Sequence, residues 1–160
     1  MNPRLIELGG FASLNRKDRA EGTPELFDFL GFTHSCGKTR NGKFKVRRVT
    51  IAKRMTRKLG EIKKELRVRM HDPLSKTGKW LASILRGAYQ YYAIPGNMKS
   101  MRAYHTAICR MWLRSIRRRS HKARQRWNWD RFSRLHERWL ARPRVSHPYP
   151  SQRFDAKYSR

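Results

Sequence analysis

The side chains of this chain that could do chemistry are cations. Arg114, Arg117, Arg118, Arg119, Lys122, Arg124 and Arg126 crowd one stretch, and Lys53, Arg57, Lys64, Lys79 and Arg86 recur ahead of it. Guanidinium and ammonium groups at this density neutralise a polyanion, and each phosphate whose counterions they displace adds roughly 0.7–0.9 to the salt slope of binding. No acidic residue lies between Asp72 and Asp130, although that interval holds most of the tryptophans and tyrosines. Aromatic rings beside Arg and Lys stack unpaired bases in RNA and single-strand binders. Of the candidates, Tyr91, Trp127 and Trp129 are expected to be exposed, whereas Tyr92 and Trp139 fit buried stripes. Groups for covalent chemistry do not converge. The sequence offers no paired carboxylates, no nucleophile beside a base and no glycine-rich phosphate loop. Asp28 stands alone among apolar neighbours, and the His34/Cys36 pair has no second pair at zinc-ligand spacing. No catalytic residue, metal or cofactor is therefore expected of this chain by itself.

The whole-chain charge says the same as the local one. Against 39 Lys plus Arg stand 11 Asp plus Glu, a formal net charge of +28 on 160 residues with a pI near 11.5. A chain so charged repels itself, and a polyanionic partner relieves the repulsion. Nucleic acid is the expected partner. A merely solvated surface would ordinarily mix both signs. An acidic membrane surface is the other competitor, but no apolar run approaches the ~20 residues that span a bilayer, and nothing near Met1 resembles a signal peptide. Cys36 and Cys109 are too few for a disulfide framework, so a reducing, intracellular compartment is expected.

Three groups of elements must position these cations. Residues 4–8 alternate weakly, 15–23 read as a polar connection, and 26–36 with 43–50 read as a hairpin around Asn41-Gly42. On that hairpin Lys43, Lys45 and Arg47 occupy exposed edge positions, where cations serve either phosphate contact or protection against sheet-to-sheet pairing. From Thr50, a plausible N-cap by type, Ile51, Met55, Leu59, Ile62, Leu66 and Met70 fall on one helical face, with Lys53, Arg57 and Lys64 opposite. Asp72-Pro73 ends that helix. A second is predicted over 74–93, with Leu74, Leu81, Leu85, Ala88 and Tyr92 inward, stopped by Pro95-Gly96-Asn97. A third starts near Met98 and buries Met101, Tyr104, Ile108 and Met111 or Trp112. The basic run after it is expected to project as a helix extension or to order only on phosphate. A short fourth helix starts about Trp129 with Phe132, Leu135 and Trp139 on one side, and an irregular tail follows Pro143. The fold class is mostly α: a three- to four-helix bundle preceded by a small β-hairpin, divided as residues 1–50, 51–120 and 121–160.

At this point particular residues carry a resemblance. Leu26-Phe27-Asp28-Phe29-Leu30-Gly31-Phe32-Thr33-His34, the basic hairpin after it, Leu85-Arg86-Gly87-Ala88-Tyr89-Gln90-Tyr91-Tyr92 and His147-Pro148-Tyr149-Pro150 together resemble the C-terminal portion of bacterial group II intron reverse transcriptase/maturases. The resemblance implies that residues 4–50 are the last strands of a polymerase palm, with Phe29, Leu30, Gly31 and Phe32 near the primer terminus. It implies that residues 51–120 are the thumb, or maturase (X) domain, which binds intron RNA and the template–primer duplex, leaving 121–160 as a basic linker, a short helix and a tail. The implied setting is the bacterial cytoplasm, nucleoid association included. The fingers, most of the palm and the Tyr-x-Asp-Asp motif that binds Mg²⁺ in the intact polymerase have no counterpart here, nor do the cysteine pairs of the HNH endonuclease. The expectation is a partial frame: a truncation, a relic of a mobile element or a fragment, unable to polymerise alone. Two alternatives stay open, half of a split polymerase that complements a separate fingers–palm fragment, and a general structural RNA- or DNA-binding protein.

Overall fold

The computed structural model describes residues 11–147 except Glu21, Thr23, Pro24, Glu25, Arg40 and Lys43. The weakly alternating segment 4–8 lies outside the described residues. The described chain is mostly helical with one small antiparallel sheet, and it divides into two compact units, Met1–Arg54 and Met55–Arg160.

In the first unit, α1 (Ala12–Asp18) runs into the segment 15–23 where a polar connection was expected. Its sequence carries no apolar stripe, so the helical period was not visible. The sheet has three strands rather than two, in the order β1 (Phe27–Phe29), β2 (Phe32–Lys38) and β3 (Phe44–Thr50). The continuous strand expected over 26–36 is broken because Leu30 (φ 46°) and Gly31 (φ 84°) both take left-handed backbone. That conformation at both central positions makes a tight hairpin turn, and Phe29 pairs directly with Phe32 across it. Glycine adopts it freely; Leu30 does so at a cost of about 1–2 kcal/mol. The expected turn at Asn41-Gly42 is present, with Gly42 at φ 76° and its N–H donating to the Thr39 carbonyl. Within β2, His34 stacks on Phe27 with ring centroids 4.8 Å apart. Thr50 closes β3 opposite Phe32, so the position ahead of the next helix falls on Ile51 rather than on Thr50.

The second unit is a helical bundle. α2 (Ala52–Val68) runs into a 3-10 turn at Arg69–His71, and Asp72 leaves the helical region at ψ 150° ahead of Pro73, as proline demands. α3 (Leu74–Tyr92) and α4 (Met98–Arg117) follow, separated by a connection in which Gly96 sits at φ 93°. The basic run does not extend α4. Ser120 takes an extended conformation and its Oγ accepts from the Ala123 N–H at 3.1 Å, which starts a separate short helix, α5 (His121–Arg126). Asn128 caps α6 (Trp129–Trp139) in the same way through the Arg131 N–H at 2.9 Å.

Ile62, Leu66, Leu81, Leu85, Tyr104, Ile108, Trp112, Ile116, Phe132 and Leu140 form the core, which joins α2, α3, α4 and α6. Trp112 meets Phe132 edge-on at 5.5 Å. α3 and α6 pack closely because Gly78 has no side chain: a Cβ there would lie 2.7 Å from Trp139 Cγ. Beyond α6 the backbone is irregular, as expected, but it docks. The Ser146 N–H and hydroxyl donate to the Ala93 and Tyr89 carbonyls, each at 3.0 Å, and His147 Nε2 donates to Gln90 O at 2.7 Å. These bonds tie the segment after α6 to carbonyls at the end of α3, where Tyr89 O also accepts the Ala93 N–H at 3.0 Å.

Candidate nucleic-acid interface

Whether a cation is available to a partner depends on what else engages it. Within residues 55–147 most carboxylates are committed locally. Glu61 pairs with Lys58 at 3.0 Å and with Arg57 at 4.0 Å, Glu65 with Arg69 at 2.7 Å, Asp72 with Arg69 and Lys76, and Glu137 with Arg142. Lys58 in particular holds Glu61 below the usual carboxylate range.

Among the described residues, those pairings leave a concentration of cations uncompensated. A groove of about 1010 Å³ opens where α2, α4 and α5 meet, lined by Lys63, Arg67, Arg114, Arg117, Arg118, His121 and Arg124 around Leu66, Met70, Met111, Ser115 and Ser120. Among the described residues, none of its lysines or arginines forms an ion pair, and no carboxylate lines it. The Ser115 hydroxyl donates to Leu66 O at 3.0 Å and ties α4 to α2 beneath the groove. Like charges gathered in a concavity focus a positive potential that attracts a polyanion.

The expected contacts distribute as follows. Arg114, Arg117 and Arg118 are brought together in the groove. Arg119 is not among them: it is half-buried, and its Nη2 donates to the Asp72 backbone carbonyl at 2.8 Å. Lys122 is exposed on α5, and Lys79 and Arg86 are exposed on α3, seven residues apart and thus on one face. Arg57 and Lys64 are exposed on α2, and Lys53 is exposed within the first unit. Tyr91 is 48% exposed and packs edge-on against Tyr92 at 4.7 Å. Trp129 is 45% exposed, whereas Trp127 is half-buried beneath the Arg131 guanidinium at 5.4 Å. Lys43 lies outside the described residues. Lys45 and Arg47 are exposed on β3, an edge strand, with Arg47 folded back over Gly37. Phe29, Leu30 and Gly31 form the turn described above together with Phe32; Phe29 and Leu30 are exposed and Phe32 is buried.

Lys63 and Arg67 were not singled out by the sequence, and Arg124 only as a member of the basic run. At about 100° per residue, Lys63 and Arg67 lie roughly 60° and 100° around α2 from Leu66, whereas Arg57 and Lys64 lie roughly 160–180° away. The groove forms at the shoulder of the packed face, where a neighbouring helix can add its own cations.

Among the described residues a nucleophile, Cys109, stands beside a base, His105, and its environment silences it. Cys109 Sγ lies 3.8 Å from His105 Nδ1, but burial raises the thiol pKa to about 12. A reactive cysteine needs the opposite shift. His105 Nε2 is turned to Leu140 O at 3.4 Å and His136 Nδ1 to Ser133 O at 2.6 Å, so both rings serve the helix packing. Among the described residues no group of three or more His, Cys, Asp or Glu converges to hold a metal ion, and no helix is long and apolar enough to cross a membrane. Comparison of the chain with protein-family models, with curated proteins and with solved structures found no match.

Proposed function

We propose that this chain is an RNA-binding maturase module of the group II intron reverse transcriptase type, which stabilises folded intron RNA by neutralising its backbone and makes no bonds itself. The observation that carries the reading is the α2–α4–α5 groove, whose lysines and arginines have no carboxylate partner among the described residues. The resemblance adds the template–primer duplex as a partner in the intact protein and a bacterial cytoplasmic setting, with Mg²⁺ held there by residues this chain lacks.

The test is binding of the full chain to a structured group II intron RNA across a range of salt. Replacing Arg114, Arg117 and Arg118 together with Ala should weaken binding and reduce the salt slope by about 2, from three phosphate contacts at roughly 0.7 each. Affinity and slope equal to those of the parent chain would reject the groove as the interface. Equal affinity for the intron RNA and a random duplex would instead favour a general structural nucleic-acid protein.

A second reading rests on the apolar edge of the first unit, where Leu26, Phe29 and Leu30 are exposed. Such an edge suits a partner fragment carrying the fingers and palm. Primer extension by that fragment with Mg²⁺ would rise on adding this chain; extension no greater than the fragment alone dismisses the idea.

A further inference from the structure

The groove between α2, α4 and α5 has two chemically different layers. Leu66 is buried and Met70 and Met111 are half-buried, so they form its floor, while Arg67, Arg114 and Arg118 stand exposed around it. A continuous duplex offers a cationic rim its phosphates and sugars but keeps its bases stacked inside, and would leave the methionine floor facing water. An unpaired nucleotide presents both parts, an anionic backbone and a flat polarisable ring. Thioether side chains accommodate such rings, being flexible and soft, and make favourable contacts with aromatic edges. Guanidinium planes stack on splayed bases as well as bonding phosphate. Size points the same way. A volume of about 1010 Å³ lies at the top of the range of small-ligand sites, roughly 300–1,000 Å³. It has room for a base with its sugar and flanking phosphates, but a duplex can only lie across the rim.

Resting on the nucleic-acid reading above, we propose that this groove captures an unpaired nucleotide of an RNA bulge, loop or strand end. The base lies against Met70 and Met111, and the flanking phosphates lie on Arg67, Arg114 and Arg118. The protein thereby prefers interrupted helices to continuous ones.

Anisotropy titrations of the full chain at one fixed salt concentration test this with two labelled hairpins, one continuous and one carrying a bulged adenosine tract. The bulged hairpin should bind about tenfold tighter, the scale of one stacked base. The double substitution Met70→Gln with Met111→Gln should abolish that preference, so that the bulged hairpin binds no tighter than the continuous one. Independently of any variant, 2-aminopurine placed in the bulge should change its fluorescence when the unmodified protein binds. If the parent chain binds both hairpins equally, or the 2-aminopurine signal is unmoved, the unpaired-nucleotide assignment is overturned. It would also be overturned by poly-glutamate competing as well as RNA at equal charge. Should Arg114→Ala with Arg118→Ala weaken neither hairpin, the groove is not a nucleic-acid site at all, and the broader reading falls with it.

Discussion

Arg117, Arg118 and Arg119 are three identical neighbours with two different tasks. Arg117 and Arg118 face the groove, but Arg119 turns inward and donates to Asp72 O at 2.8 Å, pinning the end of α4 to the junction between α2 and α3. Breaking a hydrogen bond from a charged group costs about 1.5–3 kcal/mol. Arg119→Ala should therefore lower the unfolding free energy of the helical unit by about 2 kcal/mol while leaving the salt slope of RNA binding intact, and Arg118→Ala should do the reverse. Urea unfolding followed by tryptophan fluorescence, beside binding titrations at two salt concentrations, separates them. Nothing in the local sequence distinguishes the three, because which arginine faces inward depends on where the helix stops. The stop is set by Ser120, a residue that reads as one more polar position in a basic run until its hydroxyl is seen capping α5. Residue-scale roles were thus legible only by type, and their assignment to groove or scaffold required the fold.

Elements were read more reliably than residues where an apolar stripe and a backbone stop coincide. Met55, Leu59, Ile62 and Leu66 repeat at helical spacing and Asp72-Pro73 closes the pattern, so α2 was visible; Pro95-Gly96 did the same service between α3 and α4. The turn at Leu30-Gly31 was hidden because Phe, Leu and Phe around a single glycine look like an uninterrupted strand. Helix contacts hide in the same way. Gly78 and Gly87 both lie inside α3, yet a Cβ at Gly78 would press on Trp139 at 2.7 Å, whereas one at Gly87 would meet nothing within 4 Å. An alanine in a helix is favoured over glycine by about 0.5–1 kcal/mol, and overpacking costs about 1–3 kcal/mol. Gly87→Ala should thus stabilise the helical unit by up to about 1 kcal/mol, and Gly78→Ala should destabilise it by about 1 kcal/mol or more. Denaturation midpoints of the two variants decide the matter; a Gly78→Ala protein more stable than the parent would mean that Trp139 does not close on α3 as described.

For the molecule as a whole, the high net charge opposes folding, so the helical unit is sensitive to a further positive charge in its buried polar seam. His105 is central to it, packed between α4 and α6 with Nε2 on Leu140 O, the His136 ring 6.0 Å away, the Cys109 thiol beside it and Arg142 near enough to repel its charged form. Burial is the main cause that lowers the His105 pKa, with His136 and Arg142 adding to it and the Leu140 carbonyl opposing. Lowering the folded value below the unfolded one, near 6.5, means that in the interval between them the unfolded chain binds more protons. The associated stability is therefore fully present above about pH 6.5 and is lost as pH falls toward and through the folded value. All five tryptophans lie in this unit, so their fluorescence reports its unfolding alone. Urea midpoints should fall between pH 7.5 and pH 5.5, a range kept above ordinary carboxylate titration, and His105→Gln should flatten that fall even if its midpoint at neutral pH is lower. The proposed RNA binding would add a linked effect, since any ligand of the folded state stabilises it by mass action. Saturating RNA should raise the midpoint at both pH values and leave the His105-dependent difference between them in place, because the seam and the groove are separate sets of residues. A pH dependence that disappears in the presence of RNA would instead show that the groove, and not the seam, carries it.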